Sequence, residues 1–291
     1  MSVSLREKFF GCIAGAHIGS AMGAVVEGWS YEKIEEKYGT FDQLLPYEHY
    51  NNGWVREAGT TEDGIERQKL MITAIIEKGN RVNAEDVRKA WIDHIKPESA
   101  GMVSEPFEAT LLAMAKSGIP ARDLGRYCDY SGLNSFARSC HPDIVLKELD
   151  KQLKHTKECK DFRELRKAFD SEYNGYGMPY AFSYANEVVT KAVCIFRMVE
   201  GNTKDAMIAA VNMGRDTDCI AAIASGISGT LTGAKSLPQE YIDQVDYAAS
   251  VNVYTNTQRT LREHADGLYK AWQNRVNKFK EYIKLMENYQ S

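Results

Sequence analysis

Asp216 and Asp218 stand two residues apart in Gly214-Arg215-Asp216-Thr217-Asp218-Cys219, directly before the small apolar run Ile220-Ala221-Ala222-Ile223-Ala224-Ser225-Gly226. Two carboxylates at the mouth of such a helix lose water and repel each other, so they are poor choices for stability alone. A divalent cation removes the conflict, and hard oxygen donors are what Mg²⁺ or Mn²⁺ prefers. The structural alternative is a helix cap, where an anion meets free N–H groups and the positive end of the dipole. A second acidic cluster lies far upstream, in Gly59-Thr60-Thr61-Glu62-Asp63-Gly64. There a threonine hydroxyl and two carboxylates open another helix, with a capping box of Thr60 and Asp63 as the alternative. Two acidic clusters, each opening a small or apolar helix, favour convergence on one site.

The elements that must position these groups are helices. Gly11, Gly15, Gly19 and Gly23 recur every four residues, as do Ala221, Ser225, Gly229 and Gly233. At that spacing each set lies on one helix face, and two such stripes can pack backbone to backbone beneath a shared site. Ser4 can cap the first helix. Ile65 to Glu77 is amphipathic and Gly79 stops it, while Asn83-Ala84-Glu85-Asp86 reads as a capping-box start for Val87 to Ile95. Phe107–Lys116, Ile144–Leu153, Phe162–Phe169, Ala185–Glu200, Thr203–Met213 and Thr260–Tyr289 give further helical segments. Alternating strand patterns are nearly absent. The predicted fold is all-α, a compact multi-helix bundle forming one domain over residues 1–291.

Composition narrows the function classes. A net charge of −4 gives no nucleic-acid footprint. Cys12, Cys128, Cys140, Cys159, Cys194 and Cys219 lack CxxC spacing and read as reduced thiols rather than a disulfide framework or zinc site. Cys140 beside His141 is a weak nucleophile–base pair, because adjacent residues seldom bring their side chains into productive contact. Phe9 to Val26 is uncharged, like a membrane span, yet His17 and its dense glycines indicate a buried helix. The chain reads as a cytoplasmic protein with neither a membrane nor a nucleic acid as partner.

Three blocks resemble the ADP-ribosylglycohydrolase family. The segment Gly11-Cys12-Ile13-Ala14-Gly15-Ala16-His17-Ile18-Gly19-Ser20-Ala21-Met22-Gly23 with Glu27-Gly28 is similar to its opening helix and glutamate. Thr61-Glu62-Asp63 resembles its Thr-Asp-Asp metal motif, and Gly214 to Cys219 resembles its Gly-Gly-Asp-x-Asp-Thr block. The resemblance implies an all-helical fold with a binuclear Mg²⁺ or Mn²⁺ centre. By position it implies Thr61, Glu62, Asp63, Asp216, Asp218 and Cys219 as the metal set, and Glu27, Asp63 and Asp216 as catalytic carboxylates. A two-metal site can hold a ribose diol and activate water for cleavage through an oxocarbenium-like state.

The chain also departs from the family pattern. Cys219 replaces a threonine with a softer thiol, Glu62 replaces an aspartate, Ser20 an aspartate, and Arg215 a glycine. These departures indicate a divergent subgroup in which one metal position is weakened or lost. Arg215 can pair with an acidic substrate group or a site carboxylate. Asn134 and Ser135 fall where the family carries a glycine-rich diphosphate loop, although Gly132 to Arg138 is glycine-poor. Gly175, Tyr176 and Gly177 resemble the loop flanking the ribose or adenosine pocket. Of the nearby Tyr173, Tyr176, Tyr180 and Tyr184, all but Tyr176 read as packing aromatics.

The expected activity is a metal-dependent hydrolase cleaving an N- or O-glycosidic bond to ribose, as in removal of ADP-ribose from a modified target. Hydrolysis of a smaller riboside is the first alternative. A non-catalytic binding protein that kept the fold is the second, supported by Cys219 and Glu62 and opposed by Asp63, Asp216 and Asp218.

Overall fold

A computed structural model describes residues 3–48, 53–95, 106–124, 142–178, 183–252 and 257–289. Among these residues it contains thirteen α-helices and one two-stranded sheet. The described residues group into two compact units, residues 1–65 with 129–252 and residues 66–128 with 253–291. The sequence alone suggests a single body.

The first unit is built on α1 (Leu5–Gly23), which a short 3₁₀ turn extends through Ala24–Val26. Ser4 starts the helix by accepting a hydrogen bond from the Glu7 amide at 3.3 Å, and α1 is buried from Ile13 to Gly23 without a break. The segment Leu5–Val26 is long and apolar enough to cross a membrane, yet 83% of its most apolar stretch is buried inside the protein. The partner that covers it is α11 (Thr217–Thr232).

The two small-residue stripes meet in register. A Cβ on Gly19 would lie 2.6 Å from the Ala221 carbonyl oxygen, and one on Gly23 would lie 2.5 Å from the Asp218 Cα. Cβ atoms on Gly11 and Gly15 would overlap the carbonyl oxygens of Gly229 and Ser225. The obstructing atoms are backbone, so they cannot swing aside. Gly229→Ala, which drives a methyl into the Gly11 carbonyl, should therefore destabilise the protein toward the upper end of about 1–3 kcal/mol. Urea unfolding would measure it, and an unchanged midpoint would contradict the backbone-on-backbone packing.

Around this pair lie α2 (Tyr31–Tyr38), α7 (Pro142–Glu158), α8 (Phe162–Glu172), α9 (Ala185–Met198), α10 (Thr203–Val211) and α12 (Gln239–Val251). Two short antiparallel strands, β1 (Tyr47–Glu48) and β2 (Val55–Arg56), place Tyr47 opposite Arg56. Neither the strands nor α12 is among the elements expected from the sequence.

The second unit holds most of α3 (Asp63–Lys78), with α4 (Ala84–His94), α5 (Pro106–Lys116), α6 (Ala121–Leu124) and α13 (Leu261–Asn288). Local chemistry sets the ends: Asn83 with Asp86 and Thr260 with Glu263 form capping boxes, and Gly79 at φ +63° closes α3. Leu70, Ile95 and Leu112 pack with Trp91 as its core.

Candidate metal centre

Both acidic motifs are tied to the C-terminal end of α1. The Ser20 hydroxyl accepts a hydrogen bond from the Glu62 amide at 3.3 Å, and the Thr217 hydroxyl donates to the Gly23 carbonyl at 2.8 Å. Gly214 turns the chain into α11 at φ +73°, where a Cβ would lie 2.7 Å from the Tyr31 amide nitrogen. Arg215 follows at φ +68°, in the left-handed region that a non-glycine residue occupies at a cost. Its amide donates to the Trp29 carbonyl at 2.7 Å, and its own carbonyl accepts from Gly28 at 2.8 Å and Thr217 at 3.0 Å. These bonds fix the direction in which Asp216 enters the site.

Asp216 occupies the N-cap position of α11 but makes no side-chain capping bond. The cap alternative, open to Asp216 or Asp218 in the sequence, therefore fails at Asp216. Asp216 and Asp218 are buried, and Oδ1 of each has no hydrogen-bond partner among the described residues. The ligand atoms of Asp216, Asp218 and Cys219 all lie within 4.8 Å of one another. Burial and the neighbouring Asp216 and Glu27 carboxylates raise the Asp218 carboxyl well above its ordinary value. Burial, followed by Asp218 and Asp216, likewise raises the Cys219 thiol, whose Sγ lies 3.8 Å from Asp218 Oδ2. Cys219 thus stands in the cluster as a weak donor to Asp218.

Glu27, half-buried just past the 3₁₀ turn, senses the same group. Burial first, then Glu62, Asp216 and Asp63, push its carboxyl up to about 8, against a lowering pull from Arg56. Asp63 begins α3 with an exposed side chain, while Thr61 and Glu62 are buried beside it. Oxygen donors crowded together, two of them orphaned and dehydrated, fit a hard divalent cation. Of the metal set expected from the sequence, Asp216, Asp218 and Cys219 form one cluster, and Asp63 lies near enough to raise the Glu27 and Cys219 side chains; two further side chains singled out in the sequence are committed elsewhere.

The first of these is Glu62. Its Oε1 is ion-paired with Arg56 Nη1 and hydrogen-bonded by the Tyr47 hydroxyl. The second is Arg215, whose Nε and Nη2 donate to Glu187 Oε1 and Oε2 at 2.7 and 2.9 Å. Arg215 thus pairs with Glu187 rather than with one of the carboxylates of the metal cluster. Glu187 also binds Lys191 at 2.6 Å, and both side chains of that pair are essentially inaccessible. Sequence reasoning missed Arg56, Tyr47, Glu187 and Lys191. A lysine four residues after a glutamate on α9 was the one available signal, and it reads equally well as a surface pair.

The substrate-loop residues are placed unevenly. Gly175 and Gly177 adopt positive φ, Tyr176 between them is 91% exposed, and Met178 Sδ lies 3.8 Å from Arg215 Nη2. Tyr173 is buried against Phe169 and bonded to Glu148, as a packing aromatic should be. Asn134, Ser135, Cys140, His141 and Tyr180 lie outside the described residues.

The site carries a prediction for the metal-free protein. Glu27 and Asp218 both have folded-state pKa values raised above the unfolded values, which for Glu27 means from 4.5 to about 8. In that window the folded chain binds protons that the unfolded chain has released, so stability falls as pH rises. In chelator, Tm should be higher at pH 5.5 than at pH 8, and Mn²⁺ should narrow the gap. Equal Tm values in chelator would contradict this electrostatic picture.

A solved structure described as an ADP-ribosylglycohydrolase-related protein complex is 16% identical to this chain, covering 92% of it and 99% of its own length at a TM-score of 0.49. No curated protein matches the sequence. The sequence profile described as ADP-ribosylglycohydrolase matches residues 1–142 and 130–277, a span that takes in the glycine helix, Glu27 and both acidic motifs. With most of its length matched in that way, the chain belongs to the ADP-ribosylglycohydrolase family.

Proposed function

We propose that the chain hydrolyses an N- or O-glycosidic bond at ribose C1 in a reaction dependent on Mg²⁺ or Mn²⁺, releasing ADP-ribose from a modified target. The observation that carries this reading is the pair of buried, unpartnered oxygens on Asp216 and Asp218 beside Glu27. Asp216, Asp218, Asp63 and Thr61 would hold the cation. When bound, it supplies a grip on the ribose diol and a more acidic water.

The remaining chemistry belongs to the protein. Glu27, a carboxyl beside Asp216 that burial raises above its ordinary value, is placed to deliver a proton to the departing aglycone. The bonds from Arg215 to Trp29 and Gly28 hold Asp216 in place, and the α1–α11 backbone contact gives both motifs a rigid floor. ADP-ribosylated arginine and serine peptides, assayed beside simple ribosides with Mg²⁺ or Mn²⁺, test the reading. Release of ADP-ribose from a peptide is the expected result. Turnover of simple ribosides alone would move the substrate to a smaller molecule, and no release from any of them would favour a binding protein.

A further inference from the structure

The site holds a cation of its own. Tyr47 on β1 and Arg56 on β2 face each other across the strand pair, and the guanidinium carbon lies 5.4 Å from the Tyr47 ring centroid and 4.6 Å from that of Trp54. Arg56 Nη1 is ion-paired with Glu62 Oε1 and lies 3.3 Å from the Tyr47 hydroxyl. That hydroxyl also bonds Glu62 and lies 3.2 Å from the Thr60 carbonyl oxygen. The arginine and glutamate side chains are only 9% and 7% exposed.

We infer that Arg56 takes the place of one metal ion, so that the centre binds a single divalent cation per chain. The inference rests on the metal-dependent reading above. A guanidinium cannot shed its charge, and here it cannot swing away, being stacked on Trp54 and bonded to a buried carboxylate. A second divalent ion on the Glu62 side would face this fixed charge at short range, where low dielectric strengthens the repulsion. It would also have to draw Glu62 from two partners while losing water it gives up reluctantly. On the other side, Cys219 offers sulfur where Mg²⁺ and Mn²⁺ need oxygen. Asp216 and Asp218, whose orphaned oxygens have no such competitor, keep one ion.

The test is a count of Mn²⁺ bound to chelator-stripped protein by equilibrium dialysis, with electron paramagnetic resonance of the bound ions. One ion per chain with the spectrum of an isolated centre is expected. Arg56→Gln should admit a second ion and show exchange coupling, whereas Arg56→Lys, which keeps the charge, should stay at one. Should Arg56→Gln fail to fold, Glu62→Gln gives the complementary readout: its single ion should remain, and loss of that ion would overturn the inference. Two coupled ions in the unaltered protein, or a single ion in folded Arg56→Gln, would overturn it while leaving the metal-dependent reading intact. No bound ion in the unaltered protein would overturn both.

Discussion

Asp218→Asn is expected to reduce glycohydrolase activity about 10²–10³-fold or more while raising the thermal stability of the metal-free protein. The opposite signs come from one cause. Asp218 is buried beside Asp216 and Glu27, and those neighbours and its burial penalise its charged form. Asparagine has nearly the same shape and no charge, so the desolvation and like-charge costs disappear together. It is also a much poorer ligand for a hard cation than a carboxylate. Natural sites hold such locally unfavourable arrangements where function needs them. Initial rates with Mn²⁺, and thermal melting in chelator, would measure the two effects. A fully active variant would remove Asp218 from the chemistry, and a lower Tm would make its carboxylate structural.

The second large effect is expected at Glu187, far from it in sequence. Its two oxygens serve Lys191 at 2.6 Å and Arg215 at 2.7 and 2.9 Å, and its side chain is inaccessible to solvent. Glu187→Ala leaves two cations without their shared anion, one of them fully buried, at a cost of about 3–5 kcal/mol. Burial already pulls the Lys191 amine below its ordinary pKa, so it is poorly equipped to stand alone. The loss should reach the site as well, because Arg215 keeps its left-handed backbone next to Asp216 partly through this clamp. Urea unfolding of Glu187→Ala and Glu187→Gln would rank the two, with glutamine milder because it still accepts a hydrogen bond. A loss below about 1 kcal/mol for the alanine variant would show that water or another anion replaces the carboxylate.

What could be read from the sequence was local or periodic. Ser4 and the Asn83–Asp86 pair start helices through bonds spanning three residues, so the signal and its cause lie in the same few positions. The glycine stripes were equally legible, because a four-residue repeat fixes one face whatever packs against it. The strands Tyr47–Glu48 and Val55–Arg56 were not, since two residues leave no alternation to detect and their pairing is set by tertiary contacts. Arg56 and Glu187 escaped for a related reason. Their roles exist only once Glu62 and Arg215 have been folded against them. The helix over Gln239–Val251 carries one local start signal, Pro238 at its cap. The cap reading of Asp216 was reasonable from residue type, but the turn at Arg215 delivers that side chain to the site without a capping bond.

The most direct measurement is a calorimetric titration of Mn²⁺ into chelator-stripped protein and into the Asp216→Ala, Asp218→Ala double variant, with circular dichroism confirming that both are folded. Saturable binding in the unaltered protein that disappears in the variant is the predicted result. The same titration curve in both proteins would contradict the assignment of these two aspartates as the centre of the site.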